Sequence, residues 1–151
     1  MTDYPTVPEI RDHQARLALL ARAALPLLEA AWAALPNHPR LTTELAPTTG
    51  LIMLRARAGG TGRQFNLGEI TLTRAIVTLD DRHPGYGYVL GQAPRRAELA
   101  ACCDALLSAG EHTRLLTDEL IEPARRANAE AQAARRRRAE ATRVDFSTLV
   151  Q

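Results

Sequence analysis

The chain has 151 residues and a mass of 16.5 kDa, which favours a single domain with enough residues to enclose a hydrophobic core. Hydrophobic residues make up 46% and charged residues 24%, a globular composition that excludes disorder throughout the chain. The net charge of +2 is too balanced for a dedicated nucleic-acid-binding protein, and the chain has no lysine to act as a Schiff base, P-loop cation or general base.

Residues 1–36 are predicted to form a helical N-terminal region. Leu17, Leu20 and Ala24 mark one apolar face of a predicted helix that begins near Pro8. Proline in the interior of a helix lacks an N–H donor and clashes with the preceding turn. Pro26 therefore predicts a break, followed by a second helix that ends before residue 36.

Residues 41–91 form a β region. We predict a short strand over 41–45, a turn over 47–50 and a stronger strand over 51–58, in which Arg55 and Arg57 share a face. A glycine-rich turn leads to the next strand, over 68–79. Its alternation slips near Arg74, which indicates either a bulge or burial on both faces.

The third strand covers residues 85–90. Tyr86, Tyr88 and Leu90 share one face, while glycines leave the other face bare. Asp80 and Asp81 precede a turn that we place at residues 83–85, where turn chemistry rather than metal binding is the default interpretation.

The glycine-rich loop lacks the lysine of a P-loop and precedes a strand, so no helix dipole is available there. Its simplest interpretation is a turn between strands. The functional alternative is a backbone nest that binds phosphate with help from nearby arginines. The candidate phosphate-binding residues are Gly59, Gly60, Thr61, Gly62, Arg63, Arg74, Arg55 and Arg57.

Residues 94–143 are predicted to be helical. Pro94 fits a first helical turn, and an amphipathic stripe from Leu99 to Leu107 ends at Gly110. Cys102 and Cys103 lie in this stripe, where we expect them to pack in the core as free thiols. Pro123 opens the last helix.

The last helix lacks large aliphatic side chains between residues 122 and 144, so burying it within its own domain releases little hydrophobic free energy. We therefore expect it to project or to pack against a partner chain, together with the apolar tail over 144–151. The candidate interface residues are Ala124, Ala127, Ala131, Ala134, Val144, Phe146 and Leu149.

Other features suggest no catalytic centre. The four histidines have no metal-ligand spacing, and no nucleophile and base pair is apparent, so we assign no catalytic residue and no metal. The run at 135–138 consists of four arginines, which spread around a helix. It favours a solvated surface, with contact to an acidic partner or to nucleic acid as the alternatives.

Five segments, taken in order, resemble the landmarks of the PhnG family, the G subunit of the bacterial carbon–phosphorus lyase that degrades phosphonates. They span about two-thirds of the chain, and Ser147 stands where a second aromatic residue is expected. The segments are Gly-Gly-Thr-Gly at 59–62, Gly-Glu at 68–69 with Leu-Thr-Arg-Ala at 72–75, Gly85 with Gly91, Ala-Glu-Leu-Ala at 97–100 with Asp-Ala-Leu-Leu at 104–107, and Thr-Arg-Val-Asp-Phe at 142–146.

The resemblance implies a cytoplasmic core complex with the H, I and J subunits. In it the G subunit supports the I subunit as adenine is displaced from ATP by methylphosphonate, which forms α-D-ribose 1-methylphosphonate 5-triphosphate. It implies no cofactor on this chain itself: ATP with magnesium is used by the complex, and the iron–sulfur cluster and S-adenosylmethionine belong to another subunit.

We therefore predict an α+β domain over residues 1–151 with N-terminal helices, a small antiparallel sheet and a projecting C-terminal helix and tail. The predicted function is that of a non-catalytic accessory subunit. The alternatives are direct phosphate or nucleotide binding at the shared interface and a basic nucleic-acid-binding module. The isolated chain is predicted to exchange its tail or last helix between two copies.

Overall fold

The computed structural model describes residues 7–142, with side chains from residue 11. The order of elements confirms the predicted α+β class. The helices are α1 (Val7–Arg22), α2 (Leu25–Ala33), α3 (Pro94–Ala109), α4 (Thr113–Leu116) and α5 (Glu122–Ala141), and the strands are β1 (Leu41–Arg57), β2 (Gln64–Leu79) and β3 (His83–Leu90).

Proline defines the junction of the two N-terminal helices, as predicted. The first helix ends at Arg22, and α2 begins with Pro26 in its first turn, where a missing backbone N–H costs nothing. Leu20, Leu28 and Ala31 from the two helices are buried in the core. The predicted apolar face of the first helix is confirmed at Leu20, whereas Ala24 lies between the two helices and is exposed.

The three strands form an antiparallel sheet in the order β1-β2-β3. The predicted division of the first strand is wrong: residues 47–50 continue β1, which is paired with β2 from Leu41 to Arg57. Two register shifts, between Thr43 and Leu45 and between Leu45 and Thr48, accommodate Pro47 within the strand. Proline and the two threonines after it are also typical of a turn, which is why the local sequence resembles one here.

The turn between β2 and β3 is formed by Asp80 and Asp81 themselves. Both have positive φ (50° and 55°), as in a type I′ hairpin turn, and Arg82 donates its N–H to the Leu79 carbonyl at 3.1 Å. The predicted turn at residues 83–85 is wrong, because these residues already belong to β3. Pro84 fits there because β3 is an edge strand.

Helix α3 packs on the glycine face of β3. Gly85 and Gly87 are buried against the backbone of the helix, and a Cβ on either would overlap a main-chain carbonyl. On the helix, Ala97, Ala101 and Ala105 present small side chains one turn apart. The bare face predicted for β3 is therefore the place where a helix approaches most closely.

A continuous helical stretch follows α3 after the left-handed residues Gly110 and His112. Between α4 and α5 the chain forms a short π-helix over Thr117–Ile121. Because Pro123 has no N–H to donate, the helical ladder is interrupted one turn earlier, which accounts for the wider turn at this point. Leu116 and Leu120 from this region complete the core.

Candidate partner-binding surface

The sheet has one covered and one open face. On β2 the odd-numbered residues Thr73, Ala75, Val77 and Leu79 are buried, and they pair with the β3 positions that contact α3. The even-numbered residues therefore project to the other side. Among the described residues, α3 is the helix that packs most extensively on β1 and β2. It lies on the side of the sheet where the odd-numbered residues are buried.

We call this uncovered side the open face. It is rich in large apolar side chains, and several are substantially exposed: Leu90 is 60%, Leu54 42% and Ile52 41% exposed. The stacked rings of Tyr86 and Tyr88 lie on it, with centroids 6.5 Å apart, and α1 partly covers this edge because the His13 ring lies 6.1 Å from that of Tyr86. By strand register the open face consists of Ile52, Leu54, Phe65, Ile70, Leu72, Arg74, Ile76, Tyr86, Tyr88 and Leu90.

The outer half of the β1–β2 hairpin extends beyond α3, so both of its sides are exposed. Leu51 (65% exposed) and Met53 (50% exposed) face the α3 side of the sheet but lie past the helix, and Leu67 is 58% exposed. A contiguous apolar surface of this kind marks an interaction site in a folded protein. In the sequence, the signal of this surface is that apolar residues occur on both faces of the strand over 70–77.

The glycine-rich loop is the tip of this hairpin, which confirms its interpretation as a turn between strands. Gly59 and Gly60 adopt positive φ, and Gly62 donates its N–H to the Ala58 carbonyl at 2.8 Å. Arg57 donates to the carbonyl of Gly62 at 3.3 Å.

The structure brings only part of the predicted phosphate-binding set together. Thr61 and Arg63 lie in or beside the turn, and Arg55 lies two residues before Arg57 on β1. Arg74 pairs with Thr48 and Tyr88, eleven residues from Arg63, which corresponds to roughly 35 Å along an extended strand. Arg74 therefore lies apart from the tip, and phosphate binding by the tip stays a prediction.

The candidate interface residues on α5 fall into two groups. Ala124 is only 3% exposed and packs in the core of its own chain, so we no longer assign it to a partner interface. Ala127 and Ala131 are exposed and Ala134 is half-buried, so these positions stay candidates. The other candidates, Val144, Phe146 and Leu149, lie outside the described residues.

A buried polar cluster around Asp104 was not predicted. The Asp104 carboxylate is fully buried and accepts from Arg16 Nε at 2.7 Å, from His13 Nε2 at 3.2 Å and from the Tyr86 backbone N–H at 3.0 Å. Arg16 also donates to Ser108 Oγ at 2.6 Å. Asp104 belongs to α3 and accepts hydrogen bonds from donors on α1 and β3. The cluster therefore fixes both α1 and β3 to α3. The sequence signal was a lone acid within the apolar stripe of α3.

The two cysteines confirm the prediction of core packing. Cys102 and Cys103 are buried free thiols, and burial raises the pKa of each to about 12. Such thiols are protonated at neutral pH and are poor nucleophiles. Within residues 7–142, no three histidine, cysteine or acidic side chains are grouped to hold a metal ion. No helix among these residues has both the length and the apolar character to cross a membrane.

A comparison with known families identifies the family of the chain. The family model described as "Phosphonate metabolism protein PhnG" matches residues 11–151. The chain belongs to the PhnG family. A PhnG relative from Rhizobium meliloti (strain 1021) is 44% identical over 137 residues, which cover 89% of this chain and 85% of the relative. That protein is described as the alpha-D-ribose 1-methylphosphonate 5-triphosphate synthase subunit PhnG.

The match extends over the open face, the hairpin and α5 of this PhnG chain, so it includes all the surfaces described above. It also confirms the resemblance drawn from the five sequence segments. The relative is a subunit of a larger synthase, a role that requires at least one surface for protein contact.

Proposed function

We propose that this chain is an accessory subunit of a ribose 1-methylphosphonate 5-triphosphate synthase in phosphonate breakdown. In this proposal the open face and the hairpin dock onto the I subunit, with the H and J subunits completing the core complex. The complex converts ATP and methylphosphonate to the ribose triphosphate product with release of adenine. Free buried thiols are compatible with a cytoplasmic location.

One observation carries the proposal: eight large hydrophobic side chains of the sheet are between 41% and 65% exposed. At about 25 cal/mol per Å² of apolar surface, removing several of these side chains from water contributes substantially to association. By contrast, the described residues show no nucleophile paired with a base. Asp104 and His13 are committed to the cluster that fixes α1 to α3.

The test is co-expression of the full chain with the I subunit, followed by size-exclusion chromatography and an assay of adenine release. Leu54→Glu places a charge in the open face, so we expect loss of co-elution and of adenine release. Gln14→Glu is the matched control, because it adds the same charge at an exposed position of α1, outside the open face and the hairpin. Wild-type co-elution of Leu54→Glu, with a wild-type circular dichroism spectrum, would show that the open face is not the docking surface.

The direct-binding alternative makes a different prediction. If Arg63 or Arg74 contacts the triphosphate or phosphonate, its replacement by alanine lowers turnover while the complex still assembles. Both side chains are exposed, which makes them available to a ligand at a shared interface. Unchanged kinetics in both variants would exclude this role for the two arginines.

A further inference from the structure

A groove separates α5 from the junction of α1 and α2. It has a volume of about 750 Å³, within the range of small-molecule sites. Its walls are largely alanine, including Ala21 on α1 and Ala127 and Ala131 on α5, and Leu27 and Leu90 add an apolar patch. The small side chains of α5 leave this space open.

The polar lining of the groove is entirely cationic or neutral. Arg22, Arg96 and Arg135 contribute three guanidinium groups, and Asn128 and Gln132 contribute amides. Among the described residues, the lining contains no aspartate or glutamate to neutralise these charges. Arginine forks match the oxygen geometry of phosphate groups, so this lining favours an anionic ligand.

Arg96 is a fixed part of the groove wall. Its terminal nitrogen donates to the Ala21 carbonyl at 2.8 Å, which holds the guanidinium in place. Its Nε atom is buried and has no acceptor among the residues that the structure describes. Arg96 also lies in the first turn of α3, where the helix dipole favours negative charge.

We infer that this groove is a binding site for an oligophosphate anion. Three cations from three different helices fit a chain of phosphates better than a single phosphate, and the apolar patch beside them can contact an uncharged part of the same ligand. A small ligand is favoured over an acidic peptide because the volume of the groove lies in the range of small-molecule sites. The site is separate from the hairpin tip and meets the open face at Leu90, which belongs to both surfaces.

The test is isothermal titration of the full chain with sodium tripolyphosphate at low ionic strength. We expect Arg96→Ala to weaken binding by about tenfold or more, since a hydrogen bond to a charged group is lost. Arg135→Ala should weaken it a few-fold, because that side chain is exposed. Arg82→Ala, at an exposed position in the β2–β3 turn, is the matched control and should bind like the wild type.

Three results would overturn the inference. The first is wild-type affinity in both Arg96→Ala and Arg135→Ala; if circular dichroism shows that one of them misfolds, wild-type affinity in the other is decisive. The second is an equal loss in Arg82→Ala, which indicates non-specific attraction to net charge. The third is tighter binding of an oligoglutamate peptide of matched charge, which would assign the groove to an acidic protein segment.

Discussion

Gly87 lies directly beneath Ala97 of α3, so closely that a Cβ on Gly87 would overlap the Ala97 carbonyl oxygen. Gly85 has the same relation to Ala101, one turn further along the helix. This contact brings the helix backbone against the sheet and buries Val89, Leu99 and the small residues between them. The close approach of α3 leaves the opposite face of the sheet as the surface available to a partner.

We predict that Gly87→Ala lowers the free energy of unfolding by about 2–3 kcal/mol, because the helix or strand must shift to admit the methyl group. Gly50→Ala is the matched control: a Cβ added there would meet nothing within 4 Å, and we expect a change within about 0.5 kcal/mol. Denaturant unfolding of both variants measures the difference. Equal stability of the two would contradict the close packing of α3 on β3.

Thr73 links the sheet to the start of α3. Its buried hydroxyl donates to the Gly91 carbonyl at 2.7 Å and accepts from the Ala93 N–H at 3.0 Å. Since its single proton goes to Gly91, the Thr49 hydroxyl donates to it at 2.9 Å. Thr73→Val should therefore cost about 1–3 kcal/mol in denaturant unfolding.

The control for Thr73 is Thr42→Val, at an exposed position of β1, with an expected change within about 0.5 kcal/mol. A Thr73→Val variant as stable as Thr42→Val would show that the three hydrogen bonds do not hold the strand end in solution.

Asp104→Asn tests the buried cluster that joins α1 to α3. The amide keeps the shape of the side chain but loses the charge that faces Arg16, and we expect a loss of about 2–3 kcal/mol in unfolding free energy. Glu98→Gln provides the comparison, because Glu98 pairs with Arg95 at 2.8 Å on an exposed surface where the effect should stay below about 1 kcal/mol. The opposite ranking in thermal or denaturant unfolding would refute this account.

The cysteines give a prediction of pH dependence. Because burial raises the pKa of Cys102 and Cys103 from 9.0 to about 12, the folded protein holds thiol protons that the unfolded chain releases. The resulting stability is fully present below pH 9 and is lost as pH rises toward 12. At about pH 8, below the ordinary thiol pKa, we expect both thiols to react slowly with a disulfide reagent in the native protein and rapidly in denaturant. Fast labelling of the native protein would contradict their burial.

Local chemistry was sufficient to predict much of the fold. Pro26 marked the start of α2, Gly110 marked the end of α3, and the glycines of β3 marked a bare face. Each of these signals acts through the backbone of a few neighbouring residues, so no tertiary information is needed. By contrast, Pro47 suggested a turn that does not exist, because pairing with β2 holds this irregular stretch within one long strand.

The sequence by itself determined the family, the class of fold, the hairpin turn at the glycine-rich loop and the burial of the two cysteines. Only the tertiary structure decided which face of the sheet α3 covers, how far the hairpin extends past it, and that Arg16 and His13 meet Asp104 from 88 and 91 residues away. The physical reason is the distance along the chain. Burial patterns identify an apolar face, but its covering element is set by long-range packing that no local window contains.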